Sequence, residues 1–161
     1  VGMKNPTSGD LSVMFNSIKA AQSPHDFLYN GYEVMTTGNP LAHAIMRGSV
    51  NKHGNNIQNY HYEDLMLANE MYKKAGDANH SNSKKRHEEQ PRIVKDVLHS
   101  RRYNPELKKL VKGVMIESYI EGGNQKCSPE VEHVYGKSIT DPCLSFEDTK
   151  TLLLEMIDLL D

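Results

Sequence analysis

Residues 113–118 read Gly-Val-Met-Ile-Glu-Ser. A glycine opens three consecutive apolar residues and Glu117 closes them, which predicts a short buried strand over Gly113–Ile116 with a carboxylate at its carboxyl end. The same arrangement recurs towards the amino terminus. Leu41–Met46 (LAHAIM) is an apolar-rich run closed by Arg47-Gly48, Val1–Met3 is one closed by Lys4, and Phe27–Tyr29 is a further strand candidate. Between these runs the periodicity is helical. Asp10 can cap a helix carrying Leu11, Met14, Phe15 and Ile18, which Ser23-Pro24 stops. Tyr62–Ala75 is a helix stopped by Gly76, and two more are expected over Pro91–Ser100 and from Pro105 to about Val111. The last element, Phe146–Leu160, is an amphipathic helix whose Ser145 and Asp148 resemble a capping box. The turn Asn5–Gly9, the Asn-, His- and Gly-rich stretch 49–61 and the polar tract 77–85 read as loops. Strands alternating with helices predict an α/β fold, a parallel sheet of βα units whose ligands sit at the carboxyl ends of the strands.

Composition narrows the function classes. The chain has 161 residues, 37% of them hydrophobic and 25% charged, which fits one ordinary globular domain with a core to bury. The 19 basic and 21 acidic residues are interspersed, so no electrostatic footprint for nucleic acid exists. No window approaches the roughly 18 apolar residues that a membrane helix needs, and Leu152–Leu160 is interrupted by Glu155 and Asp158. Two cysteines, Cys127 and Cys143, cannot build a disulfide scaffold and lean towards a reducing compartment, here expected to be the cytoplasm. The first residue is Val1, inside an expected strand, so the chain is expected to be a portion of something longer.

Lys4, Arg47 and Glu117 share one place in the pattern: each follows an apolar run. One basic residue after a strand is ordinarily a solvated loop charge, whereas three charges in equivalent places read as a site. Arg47, with a planar fork of donors, and Lys4, with a compact cation, suit a phosphate or a carboxylate. Glu117 at the end of so apolar a run needs a metal or a cation to offset its desolvation. His80, in a polar tract, and Asp141, in SITDPC, are by themselves a surface histidine and a turn former. Taken with Glu117 they amount to one imidazole and two carboxylates, a donor mixture suited to manganese, iron, cobalt or zinc.

Seven strings in order carry a family resemblance: VGMKN at 1–5, IMRG at 45–48, DANHSNSKK at 77–85, GVMIES at 113–118, EGGNQ at 121–125, YGKSITDPC at 135–143 and SFEDT at 145–149. The chain resembles the carboxyl-terminal half of a class I 3-deoxy-D-arabino-heptulosonate 7-phosphate (DAHP) synthase. The resemblance implies a (β/α)8 TIM barrel of which residues 1–161 form the carboxyl-terminal portion of a single catalytic domain. It implies a metal-dependent, aldol-type transferase that condenses phosphoenolpyruvate with erythrose 4-phosphate in the first step of the shikimate pathway. By matched motif, His80, Glu117 and Asp141 would ligate a divalent ion (Mn, Fe, Co or Zn). Lys4 and Arg47 would hold the phosphate and carboxylate of phosphoenolpyruvate; His80 would also be catalytic, and Asp141 would also meet substrate. Two alternatives stand beside this reading: a non-catalytic half-barrel that binds a phosphorylated ligand, and the related synthase of an eight-carbon phosphosugar acid.

Two departures temper the expected activity. The family's fourth metal ligand, a cysteine in an early PCSIHD-like segment, has no counterpart here, nor do the early basic residues of the substrate phosphate sites. The helix ending at Gly76 also joins Asp77 directly, where a βα repeat requires an apolar strand, and Ala75–Asn79 contains no β-branched residue. A strand is therefore expected to be missing between 76 and 77. A complete barrel takes about 250 residues. The isolated chain is accordingly expected to be inactive, to bind metal poorly, and to associate as a homo-oligomer through uncovered apolar surface.

Overall fold

The computed structural model describes residues 1–75, 86–128, 130 and 132–160. Strand β1 (Gly2–Lys4) leads through the NPTSG turn into helix α1 (Leu11–Gln22). Asp10 caps that helix as its spacing predicts, its carboxylate accepting from the backbone N–H groups of Ser12 and Val13. A hairpin follows, β2 (Asp26–Tyr29) and β3 (Tyr32–Met35), and then β4 (His43–Ile45). Strand β4 lies parallel to β1 with Gly2, Met3 and Lys4 opposite His43, Ala44 and Ile45. Two two-residue strands, β5 (Ser49–Val50) and β6 (Asn56–Ile57), pair antiparallel within the segment expected to be a loop. Helix α2 (Tyr62–Ala75) has the expected bounds; α3 (Gln90–Tyr103) runs longer than expected at both ends, and α4 (Pro105–Leu110) follows at once. Strands β7 (Glu121–Asn124) and β8 (Lys137–Ser138) pair in parallel, and α5 (Phe146–Leu160) closes the chain.

The class is α/β, and two sequence expectations change. Phe27–Tyr29 is the strand expected, but it does not join a parallel sheet: it is one arm of an antiparallel hairpin whose Leu28 is 79% exposed. The two-residue loop Asn30-Gly31 has φ of 50° and 81°, the backbone twist that folds neighbouring strands back on each other. Gly113–Ile116 is also no ladder strand among the described residues, where its pairing amounts to a bridge residue at Val114 and a parallel bridge from Ser118 to Leu144. Val114 and Ile116 are half-buried beside α3 residues such as Val94 and Leu98, while Met115 between them is 47% exposed. Apolar composition reports burial; it does not choose between a ladder and a helix face as the partner. The absent strand expected between 76 and 77 lies outside the described residues.

Three clusters hold the fold together. Met14, Phe15 and Ile18 of α1 pack with Ala44 and Met46 at β4, Leu65 and Ala68 of α2, and Leu107 and Leu110 of α4. Helix α3 then serves two clusters with two stripes: Ile93 and Val97 meet Tyr60 and Val111, while Val94 and Leu98 meet Leu144 and Leu152 of α5. Outside the cores the chain is unusually uncovered. It exposes 10476 Å², against roughly 8,100 Å² for a compact protein of its 18.2 kDa. On α5, Leu153, Leu154 and Ile157 are all at least half exposed.

Candidate active site

The parallel register of β1 and β4 brings their carboxyl ends together, so Lys4 and Arg47 emerge at the same end of the pair, both exposed. Between them sits Asn5, fully buried. Its backbone N–H continues the pairing to the Ile45 carbonyl at 3.1 Å. Its side-chain Oδ1 accepts from the Arg47 backbone N–H at 2.9 Å and from Asn59 Nδ2 at 3.3 Å. Its Nδ2 donates to the carbonyls of Gly48 at 2.7 Å and Pro6 at 3.0 Å. Asn59 returns to the same turn, its Oδ1 accepting from the Gly48 N–H at 2.9 Å. Gly48 turns the chain sharply behind Arg47 with φ of 78°, a conformation that glycine adopts without strain.

Arg47 is itself oriented by this turn. Its Nε donates to the Asn5 carbonyl at 3.1 Å and its Nη2 to Thr7 Oγ1 at 3.2 Å. Both N–H bonds of Nη1 and one of Nη2 have no partner among the described residues, and neither has the Lys4 ammonium. The strand ends therefore present two cations with donors to spare, a chemistry fitted to an anion carrying several oxygens.

Glu117 and Asp141 lie on adjoining segments, the second grouping. Gln90, the first residue of α3 and 6% exposed, donates from Nε2 to the Glu117 carbonyl at 3.1 Å and accepts at Oε1 from the Glu117 N–H at 2.7 Å. The Leu144 N–H also reaches the Glu117 carbonyl at 2.9 Å, and the Tyr119 N–H reaches the Leu144 carbonyl at 2.9 Å, so 117–119 runs beside 144. Asp141 lies three residues before Leu144 in a turn held by Asn124, whose Nδ2 donates to the Thr140 carbonyl at 2.8 Å. Both carboxylate residues are exposed. Among the described residues no group of three or more His, Cys, Asp or Glu side chains is placed to hold a metal. Glu117 and Asp141, on adjoining segments, are the two carboxylates of the donor set expected from the sequence; His80 lies outside the described residues.

The two groupings meet at the start of α3. Arg92 donates from Nη2 to the Tyr60 hydroxyl at 3.0 Å and pairs with Glu89 at 2.9 Å and Asp96 at 2.8 Å. The Tyr60 hydroxyl first, and then Glu89, hold the guanidinium's pKa above its ordinary value. Tyr60 follows Asn59 directly, so one short segment touches the Arg47 turn on one side and the first turn of α3, which carries Gln90, on the other. Asn5, Asn59 and Gln90 went unremarked in the sequence. Asn5 stands inside the VGMKN string and Gln90 immediately before Pro91, and a polar residue at each of these element ends was the available signal.

Residues 1–154 match the model of the DAHP synthetase I family. The chain belongs to that family. As a member of the DAHP synthetase I family it is similar to the Trp-sensitive phospho-2-dehydro-3-deoxyheptonate aldolase of Escherichia coli, 33% identical over 173 aligned positions that take in 100% of this chain and 47% of the relative. It is 35% identical to the enzyme of the same name from Buchnera aphidicola, with the same coverage. In three dimensions it resembles the phospho-2-dehydro-3-deoxyheptonate aldolase of Francisella tularensis, with a TM-score of 0.81, 29% identity, and coverage of 99% of this chain and 47% of that one. This family member thus spans about half the length of the relatives it matches. Among the described residues no helix is long and apolar enough to cross a membrane.

Proposed function

We propose that the chain is the carboxyl-terminal portion of the catalytic barrel of a DAHP synthase, the part that holds phosphoenolpyruvate and contributes ligands to a divalent metal ion. The observation that carries this reading is the convergence of Lys4 and Arg47 at the ends of two adjacent parallel strands, with Arg47 oriented and its fork turned free. A (β/α)8 barrel places its chemistry at that end of its strands. The alignment with the Escherichia coli relative occupies 173 positions against 161 residues, leaving 12 positions of the relative with nothing opposite them. A gap of that size supports the reading of a strand absent before Asp77. The cytoplasm, where phosphoenolpyruvate is available, is the compartment this reading requires.

In the proposed reaction the methylene carbon of phosphoenolpyruvate attacks the aldehyde carbon of erythrose 4-phosphate, water adds to the neighbouring carbon, and phosphate leaves with cleavage of its C–O bond. Arg47 and Lys4 neutralise and orient the phosphoenolpyruvate so that its methylene carbon faces the aldehyde. Asp141 meets the second substrate at the opposite grouping. A divalent ion held by His80, Glu117 and Asp141 would supply Lewis-acid polarisation of the aldehyde oxygen. The relatives' names favour the seven-carbon product over the eight-carbon one. The exposed cationic pair Lys4 and Arg47 supports, as the second reading, a phosphate-ligand module without turnover.

Titration calorimetry with phosphoenolpyruvate, followed by a phosphate-release assay with erythrose 4-phosphate and Mn²⁺, tests the proposal. Binding that Arg47→Ala weakens at least about tenfold is expected, since the fork makes charge-assisted bonds. Binding indifferent to Arg47→Ala would reject the site. Release of phosphate with arabinose 5-phosphate in preference to erythrose 4-phosphate would support the eight-carbon synthase instead.

A further inference from the structure

We infer that Asn5 and Thr7 are positioning residues that set the guanidinium of Arg47 before any ligand arrives. An arginine on a surface ordinarily samples many rotamers, and ordering it is part of the cost of binding. Here two of its donors are already engaged. The Nε–H is taken by the main-chain oxygen of Asn5 at 3.1 Å, and one Nη2–H by the hydroxyl of Thr7 at 3.2 Å. These two acceptors lie on one edge of the guanidinium, so the opposite edge, Nη1 with the outer N–H of Nη2, is presented as a fork.

The acceptors are themselves fixed. Asn5 is fully buried and uses both amide hydrogens and two acceptor bonds, to Gly48, Pro6, Arg47 and Asn59, so its main chain has no room to turn. A buried amide satisfied so completely, with three of its four partners 42 to 54 residues away in sequence, locks the strand end as a unit. Thr7 is exposed, yet its carbonyl accepts from the Val50 N–H at 2.8 Å, so its place in the loop does not depend on its side chain. The hydroxyl is therefore a separable part: it touches Arg47 and can be removed without loosening the loop.

This inference rests on Arg47 as the phosphoenolpyruvate ligand proposed above, and two readouts on the 161-residue chain separate the two ideas. The first needs no ligand: the ¹⁵N order parameter of the Arg47 Nε–H group. The second is the dissociation constant for phosphoenolpyruvate by calorimetry. The wild type is expected to show an ordered Nε–H. Thr7→Val is expected to loosen it and to weaken phosphoenolpyruvate binding roughly five- to tenfold, within the net worth of one intramolecular hydrogen bond. Thr7→Ser, which keeps the hydroxyl, is expected to restore both. An Arg47 side chain already mobile in the wild type, or a Thr7→Val variant equal to wild type in both readouts, overturns the inference. An ordered, Thr7-dependent Arg47 in a chain that does not bind phosphoenolpyruvate upholds the positioning role and removes the substrate.

Discussion

Gln90 grips Glu117 by both of its backbone groups, donating to the carbonyl and accepting from the amide at 3.1 and 2.7 Å. One side chain at the head of α3 thereby does for Glu117 what a neighbouring strand would do in a ladder. The Glu117 backbone is placed by a helix, and its direction is fixed even though Gly113–Ile116 forms no strand among the described residues.

Replacing Gln90 with leucine keeps the volume and removes both bonds. The Glu117 carbonyl retains the Leu144 N–H, but the amide loses its partner in a part-buried place. The expected cost is about 1–3 kcal/mol, read as a lower urea midpoint with an unchanged m-value. A midpoint within error of wild type would show that the grip contributes nothing.

Asp10 makes the amino-terminal helix sensitive to acid. Its carboxyl pKa is lowered from the ordinary 3.8, first by the Ser12 hydroxyl and then by the Ser12 backbone N–H. A lowered folded-state value means that the cap's contribution is fully present above 3.8 and is lost as pH falls through the lower, folded-state pKa. At neutral pH Asp10→Ala is expected to melt a few degrees below wild type. Thermal melts followed by circular dichroism should show the two converging in strong acid; a constant gap down to the lowest pH would count against the carboxylate as the cause.

Tyr60 and Arg92 are expected to be coupled. The Tyr60 ring is buried while its hydroxyl accepts from Arg92 and, at 3.4 Å, from Gln58. Tyr60→Phe removes both bonds, the long one from Gln58 included, and leaves Arg92 its two carboxylate partners, for an expected loss of about 0.5–1.5 kcal/mol. Tyr60→Phe and Arg92→Leu together should cost less than the sum of the two alone. Strict additivity in a double-mutant cycle would mean that the 3.0 Å contact is not energetically felt.

The uncovered apolar surface predicts self-association. Leu154 and Ile157 lie three residues apart on the open side of α5, 59% and 58% exposed, where side chains spaced by three share a helix face. Light scattering is expected to give a mass that rises with concentration, and Leu154→Lys with Ile157→Glu to reduce it. A concentration-independent 18.2 kDa species would overturn this.

What the sequence disclosed follows the range of the forces involved. Asp10, Ser145 and Asp148 act within four residues, and their caps are where the spacing put them: Ser145 Oγ accepts from the Asp148 N–H at 3.1 Å and donates to its carboxylate at 2.6 Å. The helix from Phe146 to Leu160 has the predicted bounds for the same reason. Phe27–Tyr29 was legible as a strand, while its antiparallel pairing is set by the Asn30-Gly31 turn that follows it. Lys4 and Arg47 were legible as a pair because the strands that carry them are parallel and in register. Asn5 and Gln90 were not, since their partners stand 43 and 27 residues away, beyond any local pattern.

Helix α3 lends Ile93 and Val97 to one cluster and Val94 and Leu98 to the next. Neither cluster can fray without stripping the other of its packing, so the segments carrying Tyr60, Val111, Leu144 and Leu152 are expected to open together with α3. The amides of α3 should be the last to exchange with heavy water, at a rate set by global unfolding, whereas the β2–β3 hairpin exchanges early through local opening.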